Sequence, residues 1–483
     1  MGTLNSAPAA PGALPLLGHA LPLLRDPLRF LNSLPSHGDV VAVRIGPFKA
    51  AMVVCDPELV HRMLIDDRTF DKGGLIFNRA REVFGNGVGT CPHRDHRRQR
   101  RLVQPAFHRD RLAGYAELMA DAVASVIGSW RQGQVINVFT EMQTITTRIL
   151  VATMFAGALS PDRLRQTRDD VAVVLGGIYR RIVMPPPLDK LPIAGNRRYD
   201  RARANLRRTI GGIIGEYRAG AVDHGDLLSI LLSTSDGHID AGGGQRLTDD
   251  EVCDQVITFF LAGTQTTAAT LAWALHLLSQ HPDIDDRVHR EVDAVPAVTY
   301  RDLPALGLVG RVVMETLRLY PPVWFLTRVT TKDTRLGEHP VRAGTTIVYS
   351  PYLLHHRPDL YRDPERFDPD RWDNQDTVSL RRGVFVPFGA GARKCIGEDF
   401  GITEAVLALA AIIARWRLEP VPGQLVRAAP SLELKPRALL MRARARTALN
   451  QTAFNQTAFN QTALDQDPQE PTPGSPASPP ASR

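Results

Sequence analysis

The chain has 483 residues, 43% of them hydrophobic and 23% charged, so it holds ample apolar material for a globular core in one to three domains. Its net charge of +7 comes from arginines dispersed along the chain, which gives no ground for a nucleic-acid partner. Four scattered cysteines (Cys55, Cys91, Cys253, Cys395) lack CxxC spacing, which argues against a disulfide framework and a zinc site and suits a reducing cytosol.

Ala9 to Leu24 is apolar but interrupted by Pro11, Pro15, Pro22, Gly12 and Gly18. It is too short and too broken for a spanning helix and lacks the basic start of a signal peptide. The expectation is a cytoplasmic chain without a membrane anchor. Val40–Ile45 and Ala51–Val54 predict a hairpin around Gly46-Pro47, and Asp56-Pro57-Glu58 reads as the cap of a helix. Gly73 to Thr90, glycine-rich and poor in pattern, reads as a long loop. His93 to Arg101 is strongly basic, with His96 and Arg100 four apart on one helix face. That face is either a solvated basic surface or a pair of donors for two carboxylates. Arg97, Arg98 and Arg101 look elsewhere and could present a basic docking surface to an acidic partner.

From Leu112 to about Leu232 the chain reads mostly as helices, with Pro185-Pro186-Pro187 ending one of them. Thr248 and Glu251 form a capping box that opens an apolar run without proline to Gln280. Such a helix, roughly 48 Å long at 1.5 Å per residue, must cross the middle of a large domain. Phe259 to Thr267 stands at its centre, where Ala262 and Gly263 are small enough for a flat group to press against. Thr264, Thr266 and Thr267 either bond back to the helix or face that group. Glu315 and Arg318 place opposite charges three residues apart in apolar surroundings, so the pair is either an ordinary surface pair or a buried one. A buried pair needs a further partner, and Pro364-Glu365-Arg366-Phe367 offers one. Thr345–Ser350 reads as a strand, and His355 and His356, without further ligand spacing, as surface or anion-side residues rather than metal ligands.

Cys395 lies in the glycine-rich turn Pro387 to Gly397, just before a helix-length apolar segment, Glu398 to Trp416. A thiolate there gains from the helix dipole and from backbone N–H groups, which Gly389 and Gly391 let turn toward one sulfur. Gly397 leaves room for a flat cofactor over the thiolate. This is the ligation haem iron uses when oxygen is to be cleaved. After residue 446 the sequence becomes a repeat of Asn-Gln-Thr-Ala-Phe and a Pro/Ser/Ala stretch, so 1–446 is expected to be one domain and 447–483 a disordered tail.

Phe388-x-x-Gly391-x-Arg393-x-Cys395-x-Gly397 resembles the haem-binding signature of the cytochrome P-450 family. The resemblance implies a mainly α fold with small β-sheets, haem b lying between the long central helix and the cysteine loop, and Cys395 as axial ligand of the iron. It assigns His96, Arg100, Arg328 and Arg393 to the haem propionates, and Phe388, Ala262 and Gly263 to the haem faces. Thr266, with Gln265 before it, takes the place of the oxygen-activating pair. The family usually has an acid where this chain has Gln265, and an amide orients water without releasing a proton. Glu315, Arg318 and Arg366 fit a structural charge triad, and Phe77, Phe259, Val323 and Phe325 are the pocket candidates. The implied reaction is insertion of oxygen from O2 into an unactivated C–H bond of a small apolar substrate. The wording is similar to the terpene oxidisers of antibiotic biosynthesis, with pentalenene the expected substrate. No flavin or iron–sulfur segment is present, so electrons are expected from a ferredoxin and its reductase. Gln265 keeps open a peroxide-driven peroxygenase or a haem isomerase. A non-catalytic haem sensor is the remaining alternative.

Overall fold

A computed structural model describes residues 7–45, 49–155, 161–183, 188–220, 223–234, 246–373 and 383–446. The Gly46-Pro47 turn, the triple proline and the tail from 447 lie outside these residues.

The helix Asp249–Gln280 organises the molecule. Thr248 Oγ1 accepts from the Glu251 amide at 3.2 Å while the Glu251 carboxylate accepts from the Thr248 amide at 2.9 Å, which closes the expected capping box. Being apolar nearly all round, this helix is buried on most sides, packed against helices Val138–Phe155, Ala194–Gly220 and Glu398–Arg415. Together they form the larger of the two main apolar cores among the described residues, beside a small third cluster of Leu360, Tyr361 and Val384. Trp273 on this helix is buried, stacks on Tyr320 at 3.8 Å and donates to the Leu434 carbonyl at 3.0 Å.

The second core lies beneath a five-stranded sheet. Its strands lie side by side in the order Val40–Ile45, Lys49–Val54, Thr346–Tyr349, Leu326–Thr330 and Phe70–Asp71. The predicted hairpin is its antiparallel first pair, with Val40 opposite Val54. Asp56 caps the next helix, Pro57–Ile65, by accepting from the Leu59 amide at 2.8 Å.

Gly73 to Thr90 is not a long loop. Gly74–Phe84 is a helix, with apolar Ile76, Phe77, Ala80, Val83 and Phe84 recurring at helical spacing behind the glycine pair. The basic stretch also folds as expected, as helix His93–Val103. It is less free than its sequence suggests, because Arg98 binds Glu251 at 2.6 Å across to the central helix.

The charge triad is real but uses a different arginine. Glu315 and Arg318 are both fully buried and paired at 2.8 Å. The Glu315 carboxylate also accepts from Arg371 Nε at 3.2 Å, Trp372 Nε1 at 2.9 Å and the Asp368 amide at 3.1 Å. Arg366 is exposed and contributes only its carbonyl, which accepts from Arg318 at 3.1 Å. Nor is His355 a surface residue: it is fully buried, and its Nε2 accepts the Val386 amide at 3.1 Å. His356 stacks on Tyr352 and is buried too.

Candidate active site

Between the central helix and the cysteine loop lies a mostly apolar cavity of about 440 Å³. Its lower wall is the loop. Gly389 and Gly391 have φ +72° and +67°, the left-handed turns expected of them. At Gly391 a side chain would also meet the Leu64 carbonyl at 2.5 Å. The Cys395 amide donates to the Phe388 carbonyl at 2.9 Å, which closes the turn just before helix Glu398–Arg415.

Cys395 sits deep in the protein, yet its side chain is exposed, because it faces the cavity. Burial raises its thiol pKa; the Gly397 amide, by hydrogen bonding, opposes the rise, as do Arg100 and Lys72, while Glu398 adds to it. A coordinated metal would remove that proton outright. Among the described residues no group of three His, Cys, Asp or Glu could hold a bare ion. A metal held by this one thiol must therefore bring most of its ligands with it, as iron does in a porphyrin.

The cavity's cations fit the anionic edge of such a group. Lys72, Arg100 and Arg328 line it, and among the described residues none has a carboxylate partner. Lys72 donates to the Gly89 carbonyl at 2.6 Å and Arg100 to the Lys394 carbonyl at 2.6 Å. Arg328, 3% exposed, lies over the rings of Phe77 and Tyr349. Buried cations without counter-ions are costly, so three together call for an anion. Burial, with Arg328 and Arg393 nearby, lowers the Lys72 pKa to about 7. His96 is lowered to about 3 by burial and by the surrounding cations, so it faces the site as a neutral ring. Sequence reasoning missed Lys72, which stands just before the stretch read as a loop.

Arg393 differs from its expected role. Its Nε and Nη2 bind Asp67 and Asp71, each at 2.9 Å, and Nη1 binds the Cys91 carbonyl at 2.9 Å. It lines the cavity, but its charge is already matched, and it pins the cysteine loop to Asp67, Asp71 and Cys91.

On the opposite wall Ala262 is exposed and Thr266 half-buried in an otherwise buried helix, and both line the cavity. Thr266 donates to the Ala262 carbonyl at 2.7 Å, which leaves its oxygen able to accept from the cavity. Gly263 also lines the cavity, but its missing side chain serves another contact: a Cβ there would meet Leu150 at 2.8 Å. Thr264 and Gln265 are buried and are not part of the cavity wall, and among the described residues Gln265 Oε1 has no partner. Phe77, Phe259, Val323, Phe325 and Phe388 all line the cavity, as expected. Helix Pro161–Val183 adds Leu175, Ile178, Tyr179 and Ile182, which its amphipathic pattern did not single out.

A sequence model described as Cytochrome P450 matches residues 8–444. The chain is 47% identical over 418 residues to "Cyclooctat-9-en-7-ol 5-monooxygenase" of Streptomyces melanosporofaciens, covering 86% of this chain and 90% of that protein. It is 44% identical over 430 residues to "Cyclooctatin synthase" of the same organism, covering 88% and 93%. With "Pentalenene oxygenase" of Streptomyces avermitilis it shares 43% identity over 445 residues, covering 91% and 98%.

Proposed function

The chain belongs to the cytochrome P450 family, and on that footing we propose that it is a terpene monooxygenase, fed electrons by a ferredoxin and its reductase. Its cofactor is haem b, bound through the Cys395 thiolate, with Lys72, Arg100, Arg328 and neutral His96 set to receive the propionates. When bound, the group supplies O2 activation, by which one oxygen atom enters a C–H bond and the other leaves as water.

The observation that carries the reading is that Cys395 and Thr266 face one apolar cavity. The chain's own part follows from that geometry. Phe77, Phe259, Val323 and Phe325 bind a hydrocarbon skeleton by excluding water from it. Thr266 Oγ1 holds a water by accepting its proton-bearing side, since its own proton is given to Ala262. Two of the named relatives support the substrate class, one through a terpene alcohol and one through pentalenene. The reading includes one monooxygenase domain over 1–446 and a cytoplasmic location. The four free cysteines support the latter, and no described helix is long and apolar enough to cross a membrane.

The test is to incubate the haem-loaded protein with pentalenene or with cyclooctat-9-en-7-ol, plus ferredoxin, ferredoxin reductase and NADPH, and to identify products by mass spectrometry. An oxygenated product that requires the electron donors is expected from one of them. Inertness toward both, with an intact thiolate signature in the reduced carbon monoxide spectrum, would remove the terpene reading and leave the family. Turnover with hydrogen peroxide alone would replace the ferredoxin by a peroxygenase reaction.

A further inference from the structure

The cavity wall is mostly apolar, yet one charged group on it takes no part in holding haem. Glu433 stands in the turn between strands Arg427–Pro430 and Leu434–Arg437, and three hydrogen bonds fix that turn. Trp324 Nε1 donates to the Ser431 carbonyl at 3.0 Å, and the Leu434 amide donates to the Pro322 carbonyl at 2.9 Å. Trp273 on the central helix donates to the Leu434 carbonyl at 3.0 Å. Leu434 packs into the second core, whereas Ser431, Leu432 and Glu433 line the cavity. Glu433 therefore sits deep in the protein and is still only half-buried, because it faces the cavity. Among the described residues the other acid on the wall is Glu404, which at 1% exposed is closed to a ligand.

The chain leaves the Glu433 carboxyl short of donors. Among the described residues its own amide is the sole one, and Lys435 acts on it through charge, with its ammonium 5.0 Å from the centre of the Phe139 ring. Burial raises the Glu433 pKa to about 6 against the pull of Lys435. Near neutral pH it is thus mostly a carboxylate, which can only accept. Thr258, Thr266, Thr270 and Ser431 offer it nothing, because each gives its proton to a backbone carbonyl. A carboxylate in so dry a place normally has several donors, so a ligand must bring one. Lys72, Arg100 and Arg328 already make the cavity positive, which disfavours a cationic ligand. A neutral O–H on an apolar skeleton fits both the wall and the charge. Tyr179 also lines the cavity, with a phenol that has no partner among the described residues, but a neutral group costs less to leave unmet.

We propose that the substrate is an alcohol: a terpenoid that already carries a hydroxyl, which donates its hydrogen bond to Glu433. A bare hydrocarbon such as pentalenene leaves the carboxylate unmet and binds more weakly. Such a substrate comes from a reaction that has already put oxygen on the skeleton, by capture of water or by an earlier insertion. This rests on the terpene monooxygenase reading and narrows it.

The test is equilibrium binding to the full haem-loaded protein, followed by the change in haem absorbance as a ligand fills the cavity. The probes are cyclooctat-9-en-7-ol and cedrol, each paired with the same skeleton bearing hydrogen in place of the hydroxyl. In at least one pair the alcohol should bind ~10-fold or more tightly, the scale of a hydrogen bond to a charged acceptor. Glu433→Leu should abolish that preference by weakening the alcohol while the hydrocarbon binds as well or better. A merely structural role would weaken both. Glu433→Gln keeps the shape and an acceptor, and should retain part of the preference. Hydrocarbons that match their alcohols in both pairs, or a preference that survives Glu433→Leu, overturn the proposal. Loss of the preference in Tyr179→Phe instead would overturn it too, by moving the contact to that phenol. If neither pair binds while the reduced carbon monoxide spectrum keeps its thiolate signature, the terpene reading falls, and this proposal with it.

Discussion

Thr264 and Thr266 stand two residues apart in one helix, and their surroundings separate them. Thr264 is 2% exposed, donates to the Phe260 carbonyl and lends its own carbonyl to Thr146, whereas Thr266 looks into the cavity. Thr266→Ala should therefore divert electrons into peroxide and cut product per NADPH, measured by comparing the two yields. Thr264→Ala should keep coupling and lose about 1 kcal/mol of stability with one buried hydrogen bond. A helix sequence shows which residues share a face, but not which face a tertiary cavity opens onto. For the same reason Gly263, expected to meet a cofactor, turned out to admit Leu150, and Arg393 found Asp67 and Asp71, over 300 positions away. Lys72 yields a titration test. An anion placed beside it favours its charged form, so haem loading at pH 8 should protonate Lys72 and offset the proton that Cys395 gives up, whereas Lys72→Met should release about one proton more than the wild type, followed with an indicator dye.

At the scale of elements, the best-read feature was the central helix, because cap, length and composition agreed within one stretch of sequence. The apolar spacing of Gly74–Phe84 is helical, but the glycine pair Gly73-Gly74 at its start draws the reading toward a loop. The Glu315 hub was half legible. Glu315-x-x-Arg318 fixes two members, but Pro-Glu-Arg-Phe and Pro-Asp-Arg-Trp follow one another five residues apart, and only the folded path brings Arg371 to the carboxylate. Because Glu315 is wholly buried and receives five hydrogen bonds, removing a partner leaves charge stranded. Arg371→Ala should cost up to ~3 kcal/mol, the low end for breaking a buried pair, since the Arg371 side chain keeps some contact with solvent. The exposed Arg366→Ala should stay within about 0.5 kcal/mol of wild type. Urea denaturation of both variants decides between them, and equal losses would return Arg366 to the triad.

Across the whole molecule, the two cores meet where His355 joins helix Gly307–Leu319 to the chain leading into the cysteine loop. Its Nε2 accepts from Val386, so that nitrogen carries no proton, and Nδ1–H is the donor toward the Arg318 carbonyl at 3.2 Å. Protonation would break the Val386 bond and place a second charge beside Arg318. Burial, His356 and Arg318 hold the His355 pKa well below the ordinary histidine range, and burial lowers His356 to about 4. In the unfolded chain both titrate near ~6.5. Between that pH and about 4 the unfolded state binds protons that the native state refuses, so stability falls as pH falls through this window and is regained above it. Each such histidine contributes at most ~1.4 kcal/mol per pH unit, or ~2.7 for the pair. His96, lowered to about 3, adds to this in the haem-free protein. Asp67 and Glu251, whose pKa values are lowered by their cationic partners, weaken the fold only at more acid pH, below the unfolded carboxylate range. Urea midpoints measured from pH 7.5 down to pH 5 should therefore fall steadily. His356→Gln should flatten the slope by about 1.4 kcal/mol per pH unit. A midpoint independent of pH across that range would mean that the histidines joining the two cores can take up protons in the folded protein, and that the tie between Arg318 and the cysteine loop is looser than its hydrogen bonds imply.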